Sequence, residues 1–170
     1  MVLFEGGEAR KSEYRKFKIK TVAGIDDYAM MYEVVRRRLS RLQLEGLRMP
    51  DLMLIDGGKG HLNAACRVMA ELGIEGLEAV GLAKGRSGAG RGRDPLSPTV
   101  DHFFLPDEEE PLMLPHYSRA KHLLQRIRDE SHRFAITYHR KLRGAESLAS
   151  ILDEVPGIGE QRKASLLRRY

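Results

Sequence analysis

The chain has 170 residues, 42% hydrophobic and 31% charged, which suits one core domain with a small appendage and argues against a disordered chain. No apolar run approaches the ~18 residues of a membrane span, the N-terminus lacks a signal-peptide pattern, and the single cysteine, Cys66, excludes an internal disulfide or a cysteine zinc cluster. The net charge of +5 and the pI of about 9.4 favour a polyanion such as nucleic acid, or an anionic membrane surface, and a reducing cytosol is the expected compartment.

The first twenty residues predict a β-hairpin. Residues 1–4 are apolar and end at a turn signal, Glu5-Gly6-Gly7-Glu8. Residues 13–20 (EYRKFKIK) alternate between apolar and charged side chains, which is typical of a half-buried strand.

An amphipathic helix is predicted next. Asp26 and Asp27 stand where an N-cap belongs, apolar residues then recur at spacings of three and four, and Gly46 ends the pattern. The arginines that fall mostly off the apolar stripe fit a solvated face or a DNA contact equally well: Arg36, Arg37, Arg38 and Arg41.

A βαβ unit follows this helix. The run PDLMLIDGG is typical of a strand buried on both faces, and it ends at Asp56. Residues 60–72 predict a helix and residues 77–84 a second buried strand. This order predicts two parallel strands.

The second half predicts two short strands and a long helix. A Gly/Arg/Pro loop (85–98) precedes strands in DHFFLP and EPLMLP, which flank the acidic turn 107–110. Residues 116–144 form the helix, whose predicted buried stripe is Ala120, Leu123, Leu124, Ile127, Phe134 and Tyr138. Lys121, Arg128, His132 and His139 line its polar edge, which we interpret as a solvated shoulder.

Asp56 is the first candidate for chemistry. A carboxylate at the end of a buried parallel strand points towards the crevice where open α/β sheets bind ligands. A nucleotide P-loop is rejected, because Gly60 follows Lys59 where that motif requires serine or threonine. A metal ligand and a plain turn or N-cap residue remain equally supported. Asp26 and Asp27 are most simply caps, although one of them could join Asp56 around a divalent cation.

The C-terminal segment has the pattern of an anion-binding helix pair. Residues 148–155 predict a short helix, and Pro156-Gly157-Ile158-Gly159 turns into a second one. Arg162 and Lys163 lie in the first turn of that second helix, where they oppose the helix dipole, so a phosphate partner explains them better than helix stability does.

These motifs, taken in order, closely resemble the C-terminal half of the UvrC family, the nuclease subunits of bacterial UvrABC excinucleases. The residues that carry the resemblance are FEGGEARKSEYRKFKIK, GIDDYAMMYEVVRRR, PDLMLIDGGKGHLNAA, VGLAKGR, DHFFLP, RIRDESHRFAITYHRK and LDEVPGIGEQRKASLL. The resemblance implies an α/β, RNase H-like endonuclease domain over residues 1–143, with a mixed sheet flanked by helices. Over residues 144–170 it implies the first hairpin of a helix–hairpin–helix DNA-binding module.

The resemblance also implies an activity and its residues. The activity is the 5′ incision beside a lesion in double-stranded DNA, dependent on Mg²⁺ or Mn²⁺, after UvrA and UvrB have marked the site. Asp56 matches a catalytic metal-binding aspartate, Asp27 an acidic residue of the site, and His132 the active-site histidine. Gly157, Ile158 and Gly159 match the DNA-binding hairpin.

Two family features fall outside this sequence. We expect another catalytic aspartate, in an Asp-Ile-Ser-His motif on a central strand, before Met1, and a second hairpin after Tyr170. The alternative to a nuclease is therefore a catalytically incomplete fragment that acts only as a DNA-binding module. A third alternative is an RNase H-like interaction domain without DNA affinity.

Overall fold

The computed structural model describes residues 1–86 and 99–153. The predicted hairpin, Gly157, Ile158 and Gly159, lies outside the described residues, as do Arg162 and Lys163. The chain forms two compact units: Met1–Glu13 together with the chain from Asp129 onward, and Tyr14–Arg128. Within the described ranges, every helix is too short or too polar to cross a lipid bilayer.

The first unit begins with a hairpin of two short strands. β1 (Phe4–Glu5) pairs antiparallel with β2 (Glu8–Ala9), and a short 3-10 helix follows at Lys11–Glu13. The predicted turn is confirmed, because Gly6 and Gly7 both adopt the positive φ that a two-residue hairpin turn favours. The predicted second strand over residues 13–20 is wrong, since none of those residues is in a described strand.

Helix α1 (Asp27–Leu44) opens and closes where the sequence predicts. The Asp26 carboxylate accepts a hydrogen bond from the backbone N–H of Ala29 at 3.0 Å, as an N-cap does. The helix then ends in a turn at Gly46.

The segment before α1 is held by a side chain of that helix instead of by a partner strand. The buried Glu33 carboxylate accepts the backbone N–H groups of Lys20 and Thr21, both at 2.9 Å. Arg37 donates to the carbonyl of Lys18 at 2.7 Å. Side chains of α1 thus bond to these backbone groups, which in a strand would bond to a neighbouring strand. The alternating pattern therefore predicted a strand that does not form.

The second unit contains a mixed three-stranded sheet in the order β3 (Leu52–Asp56), β4 (Glu78–Arg86), β5 (Thr99–Phe104). β3 and β4 are parallel and are joined through α2 (Lys59–Glu71), which confirms the βαβ unit. β5 is antiparallel to β4. The predicted strand in EPLMLP is reduced to one bridge, in which Leu112 and Phe103 exchange backbone hydrogen bonds.

The sheet has apolar side chains on both faces. Val80, Leu82 and Phe103 form one cluster, against which Leu54, Leu114 and Leu124 pack. The opposite face meets α2, because a Cβ on Gly81 would lie 3.4 Å from the Cβ of Leu62. The other buried apolar residues of α1, α2, β3 and β4, together with Leu77 just before β4, are Val35, Leu39, Leu42, Ile55, Ala65, Val68 and Ala79.

Helix α3 (Arg119–Asp153) is the predicted long helix, and it extends nine residues beyond Gly144. The predicted boundary between residues 143 and 144 remains a prediction, and it would fall inside this helix. The predicted stripe is only half-buried, with Ala120 exposed. The solvated-shoulder interpretation is wrong for Lys121 and Arg128, which are 5% and 6% exposed, because they turn towards the buried Asp101.

Candidate active site

Asp56 occupies the position that the sequence predicts, at the carboxyl end of β3. It is paired in register with Leu82 of the parallel neighbour β4 and is exposed, whereas Ile55 before it is buried. Because side chains alternate along a strand, Asp56 projects to the same face as Leu54, the face against which Leu124 of α3 packs. β3 is only partly buried, with Leu52 45% exposed, against the predicted burial on both faces, and it presents a solvent-accessible carboxylate at its end.

The turn after Asp56 requires glycine. Gly57 has a φ of 157° and donates its N–H to the carbonyl of Leu82 at 3.0 Å, and a Cβ there would lie 2.7 Å from the His61 ring. The N-cap of α2 is Gly58, which offers no side-chain cap. Asp56 is therefore not the helix cap, and the capping alternative is excluded.

The two carboxylates at the start of α1 differ in their environments, as expected if one caps the helix and the other is available to a cation. Asp26 is committed to capping, whereas Asp27 is the first residue of the helix and is exposed. One carboxylate thus stabilises the helix and the other stays accessible to solvent.

Tyr28 and His61 join the first turns of α1 and α2. Their ring centroids are 4.8 Å apart at an interplanar angle of 54°, and a Cβ at Gly60 would lie 2.7 Å from the Tyr28 ring. Tyr28 directly follows Asp27, and the His61 ring packs on Gly57, which directly follows Asp56. This pair of rings therefore brings the segments that carry Asp27 and Asp56 together.

The acidic turn after β5 approaches the same helix. The Lys59 ammonium donates to the carbonyl of Glu108 at 2.9 Å, and Asp107 holds a positive φ of 65°. Burial raises the pKa of the nearby Cys66 thiol, and the negative charge of Asp107 raises that pKa further. Cys66 is consequently a poor nucleophile, so cysteine chemistry is not supported.

The two accessible carboxylates fit a hard divalent cation by their chemistry. Mg²⁺ binds oxygen ligands, keeps several waters and commonly uses only one or two protein carboxylates. Among the described residues, no group of three or more histidine, cysteine, aspartate or glutamate side chains is arranged to hold a metal. Asp56 and Asp27 would therefore hold such an ion as a sparse donor set.

His132 lies on α3, in the unit that includes the chain from Asp129 onward, and it is exposed. Asp27 and Asp56 belong to the other unit. The segments of the two predicted carboxylates thus lie together in one unit, and the predicted histidine belongs to the other unit.

The arginines of α1 are paired within the protein. Arg36 contacts Glu71 at 2.7 Å, and Arg41 contacts Glu45 at 2.8 Å. Arg37 contacts the buried Glu33 at 2.9 Å. These three arginines thus have carboxylate partners within the protein, which neither the solvated face nor the DNA contact had anticipated.

Sequence reasoning missed Tyr28 and His61 as parts of this region. Tyr28 falls on the apolar repeat of α1, which predicts a core residue, yet it is 55% exposed. Only its place immediately after the acid pair signalled another role.

Together, the mixed sheet, its flanking helices and the strand-end carboxylate define an RNase H-like α/β domain. Residues 1–136 match the family model of the UvrC RNase H endonuclease domain, so the chain belongs to that family.

Similar proteins from three bacteria bear the name UvrABC system protein C. The chain is 46% identical over 169 residues to that of Bdellovibrio bacteriovorus, which covers 99% of this chain and 26% of the relative. It is 45% identical over 174 residues to that of Syntrophotalea carbinolica, covering 100% and 28%. It is 46% identical over 169 residues to that of Geobacter metallireducens, covering 99% and 27%. The chain spans about a quarter of the length of these relatives.

Proposed function

We propose that this chain is a metal-dependent DNA endonuclease domain that makes the 5′ incision beside lesions in bacterial nucleotide excision repair. The observation that carries the proposal is the exposed Asp56 at the carboxyl end of the partly buried strand β3, which is parallel to β4, beside a glycine turn and the segment of Asp27. Membership of the UvrC RNase H endonuclease family supports this reaction class.

The side chains divide the work of phosphodiester hydrolysis. Asp56 and Asp27 would hold Mg²⁺ or Mn²⁺, which when bound polarises the scissile phosphate and lowers the pKa of water. The His61 ring fills the space beside Gly57, so a phosphate would approach the strand end beside Gly58, where a Cβ would lie 3.9 Å from the Phe104 ring. His132, which matches the family's active-site histidine, would assist the attacking water.

Binding to DNA is assigned to the C-terminal segment. Gly157, Ile158 and Gly159 would present backbone N–H groups to a phosphate, with Arg162 and Lys163 in support. Contacts to the phosphate backbone carry no sequence information, which suits an enzyme that must cut at any sequence. The substrate would be lesion-containing duplex DNA, and the partners UvrB and, indirectly, UvrA, in the cytoplasm.

The test compares two aspartates at opposite ends of the same strand. Asp56→Asn should abolish Mn²⁺-dependent nicking of damaged duplex DNA, because it removes the accessible carboxylate at the carboxyl end of β3. Asp51→Asn is the matched control, since Asp51 is exposed just before the other end of that strand. Undiminished 5′ cutting by the Asp56→Asn protein would contradict the assignment.

The second candidate is a DNA-binding module without catalysis. The net charge of +5 and the pI of about 9.4 are compatible with it, because binding to phosphates needs positive charge and no metal. Plasmid nicking by residues 1–170 alone in Mn²⁺, lost in Asp56→Asn, would reject this candidate. Salt-dependent DNA binding without nicking would support it.

A further inference from the structure

Two large apolar residues stand exposed on either side of the acid pair that starts α1. Ile25 is 94% exposed and precedes Asp26, and Tyr28 is 55% exposed and follows Asp27. Val35 and Leu39 of the same helix are buried, so α1 does bury apolar side chains where it packs on the domain. An aromatic ring left half in solvent beside a candidate catalytic carboxylate is thus available to a ligand.

The Tyr28 ring is fixed in place even though it is exposed. The position that a Cβ at Gly60 would take lies 2.7 Å from one ring carbon and 2.9 Å from the hydroxyl oxygen, so the ring rests directly on that backbone. The His61 ring is inclined against it with centroids 4.8 Å apart. A ring supported on its inner side loses little conformational freedom when a ligand covers its outer side, which favours binding.

The chemistry around the ring selects the ligand. A flat aromatic surface favours another flat π-system, and the start of α2 lies next to Gly60, where the helix dipole favours negative charge. A nucleotide combines these features, because its base is flat and its phosphate is anionic. Nucleobases stack on exposed aromatic side chains without regard to sequence, since every base has a π-face.

We propose that Tyr28 is a stacking surface for one nucleobase of the DNA strand whose phosphate lies at Asp27 and Asp56. The inference rests on the proposed function and adds a substrate contact to it. Stacking there fixes one nucleotide beside the carboxylates and so sets which phosphate is cut. Tyr28 positions the substrate and takes no part in proton transfer.

The experiment places the fluorescent base 2-aminopurine at successive positions of a forked DNA duplex, and uses the full 170-residue chain in its Asp56→Asn form. Stacking quenches this base, so we expect quenching at one or two positions. Tyr28→Ala should remove the quenching and weaken binding on the order of tenfold. Tyr28→Phe, which keeps the ring, should retain both.

A second variant separates stacking from a loss of fold. Gly60→Ala leaves Tyr28 in the chain but places a methyl group against its ring, so it should shift the ring and reduce the quenching. Far-UV circular dichroism should remain native for Tyr28→Ala and for Gly60→Ala. Leu44→Ala is the matched control, because Leu44 is 87% exposed at the other end of α1, and it should leave the quenching unchanged.

The outcomes distinguish this inference from the proposed function. DNA binding with no quenched position, or quenching that survives Tyr28→Ala, overturns the stacking role and leaves the nuclease proposal intact. Failure of the chain to bind DNA in a fluorescence anisotropy assay overturns both. Quenching that depends on Tyr28, in a protein whose Asp56→Asn form still cuts, retains the stacking and rejects the proposed role of Asp56 in cutting.

Discussion

The guanidinium of Arg128 donates to the Asp101 carboxylate at 2.6 Å, and the two side chains are only 7% and 10% exposed. Gln125 donates to the other carboxylate oxygen at 2.5 Å. Burial by itself raises the pKa of Asp101, but the hydrogen bonds from Gln125 and Arg128, with the charges of Arg128 and Lys121, outweigh it and hold that pKa below its usual value. This buried ion pair between Arg128 and Asp101, within the second unit, thus holds α3 against β5.

Removing Arg128 should destabilise the protein because it leaves Asp101 buried with reduced compensation. We expect Arg128→Met to lower the free energy of unfolding by about 3 kcal/mol, as is typical when one partner of a buried ion pair is lost. Chemical denaturation measures this change. Arg48→Met is the matched control, since its contact with Asp51 is 3.4 Å long and exposed, and should cost less than about 0.5 kcal/mol. Equal losses of unfolding free energy in the two variants would show that the buried pair contributes no more to stability than the exposed pair.

Glu33 should make the protein sensitive to acid. The backbone N–H of Thr21 is the largest cause that lowers its pKa, from 4.5 to about 2; burial opposes the shift, while the Thr21 hydroxyl, the Lys20 N–H and Arg37 add to it. A carboxylate whose pKa is depressed on folding stabilises the folded state above its ordinary pKa. This contribution is therefore complete above pH 4.5 and is lost as the pH falls towards 2.

Glu33→Gln tests this contribution. Its melting temperature should lie below that of the wild type at pH 7. The difference should shrink below pH 4.5, because Glu33 binds a proton there in the unfolded chain, whereas in the folded protein it stays charged until the pH nears 2. Amide hydrogen exchange at Lys20 and Thr21 should be several-fold faster in the variant at pH 7. Glu45→Gln is the control, since its pair with Arg41 is exposed, and it should change neither measurement. A melting difference that is constant from pH 7 to pH 3 would contradict the role of the carboxylate.

His132→Ala tests the proposed base. We expect the rate of 5′ cutting to fall about 10²-fold or more, the usual effect of losing a general base, with unchanged DNA affinity. His122→Ala provides the comparison, because His122 is also an exposed histidine on α3 and should cut normally. A His132→Ala protein that cuts at the wild-type rate would remove this residue from the mechanism.

Local signals predicted the elements of this fold well. A helix cap at the Asp26-Asp27 pair, a helix end at Gly46 and a strand ending at Asp56 each follow from neighbouring residues, and all are confirmed. The strand predicted over residues 13–20 fails because strand formation depends on a partner far along the chain. Here the backbone of that segment bonds to Glu33, whose role no local pattern reveals.

Long-range pairing also limits what could be predicted of the site. Arg128 was expected in solvent because its neighbours on α3 are polar, but its partner, Asp101, lies 27 residues earlier. Asp56 and Asp27 are both exposed, and their catalytic and metal-binding roles stay predictions. It could not reveal that Tyr28 and His61 join their segments, because that contact depends on how α1 packs against α2.

The last prediction tests whether DNA contacts the C-terminal segment or the arginines of α1. Replacing Arg162 and Lys163 together with alanine should weaken binding to duplexes of any sequence, and should reduce the slope of log affinity against log salt by about 1.8, since each lost phosphate contact contributes about 0.9. Arg41→Ala should leave the slope unchanged, because Arg41 is already paired with Glu45 at 2.8 Å. Fluorescence anisotropy titrations at several salt concentrations give both slopes. If Arg41→Ala reduced the slope and the double variant did not, the DNA would contact α1, and the C-terminal segment would lose its assigned role.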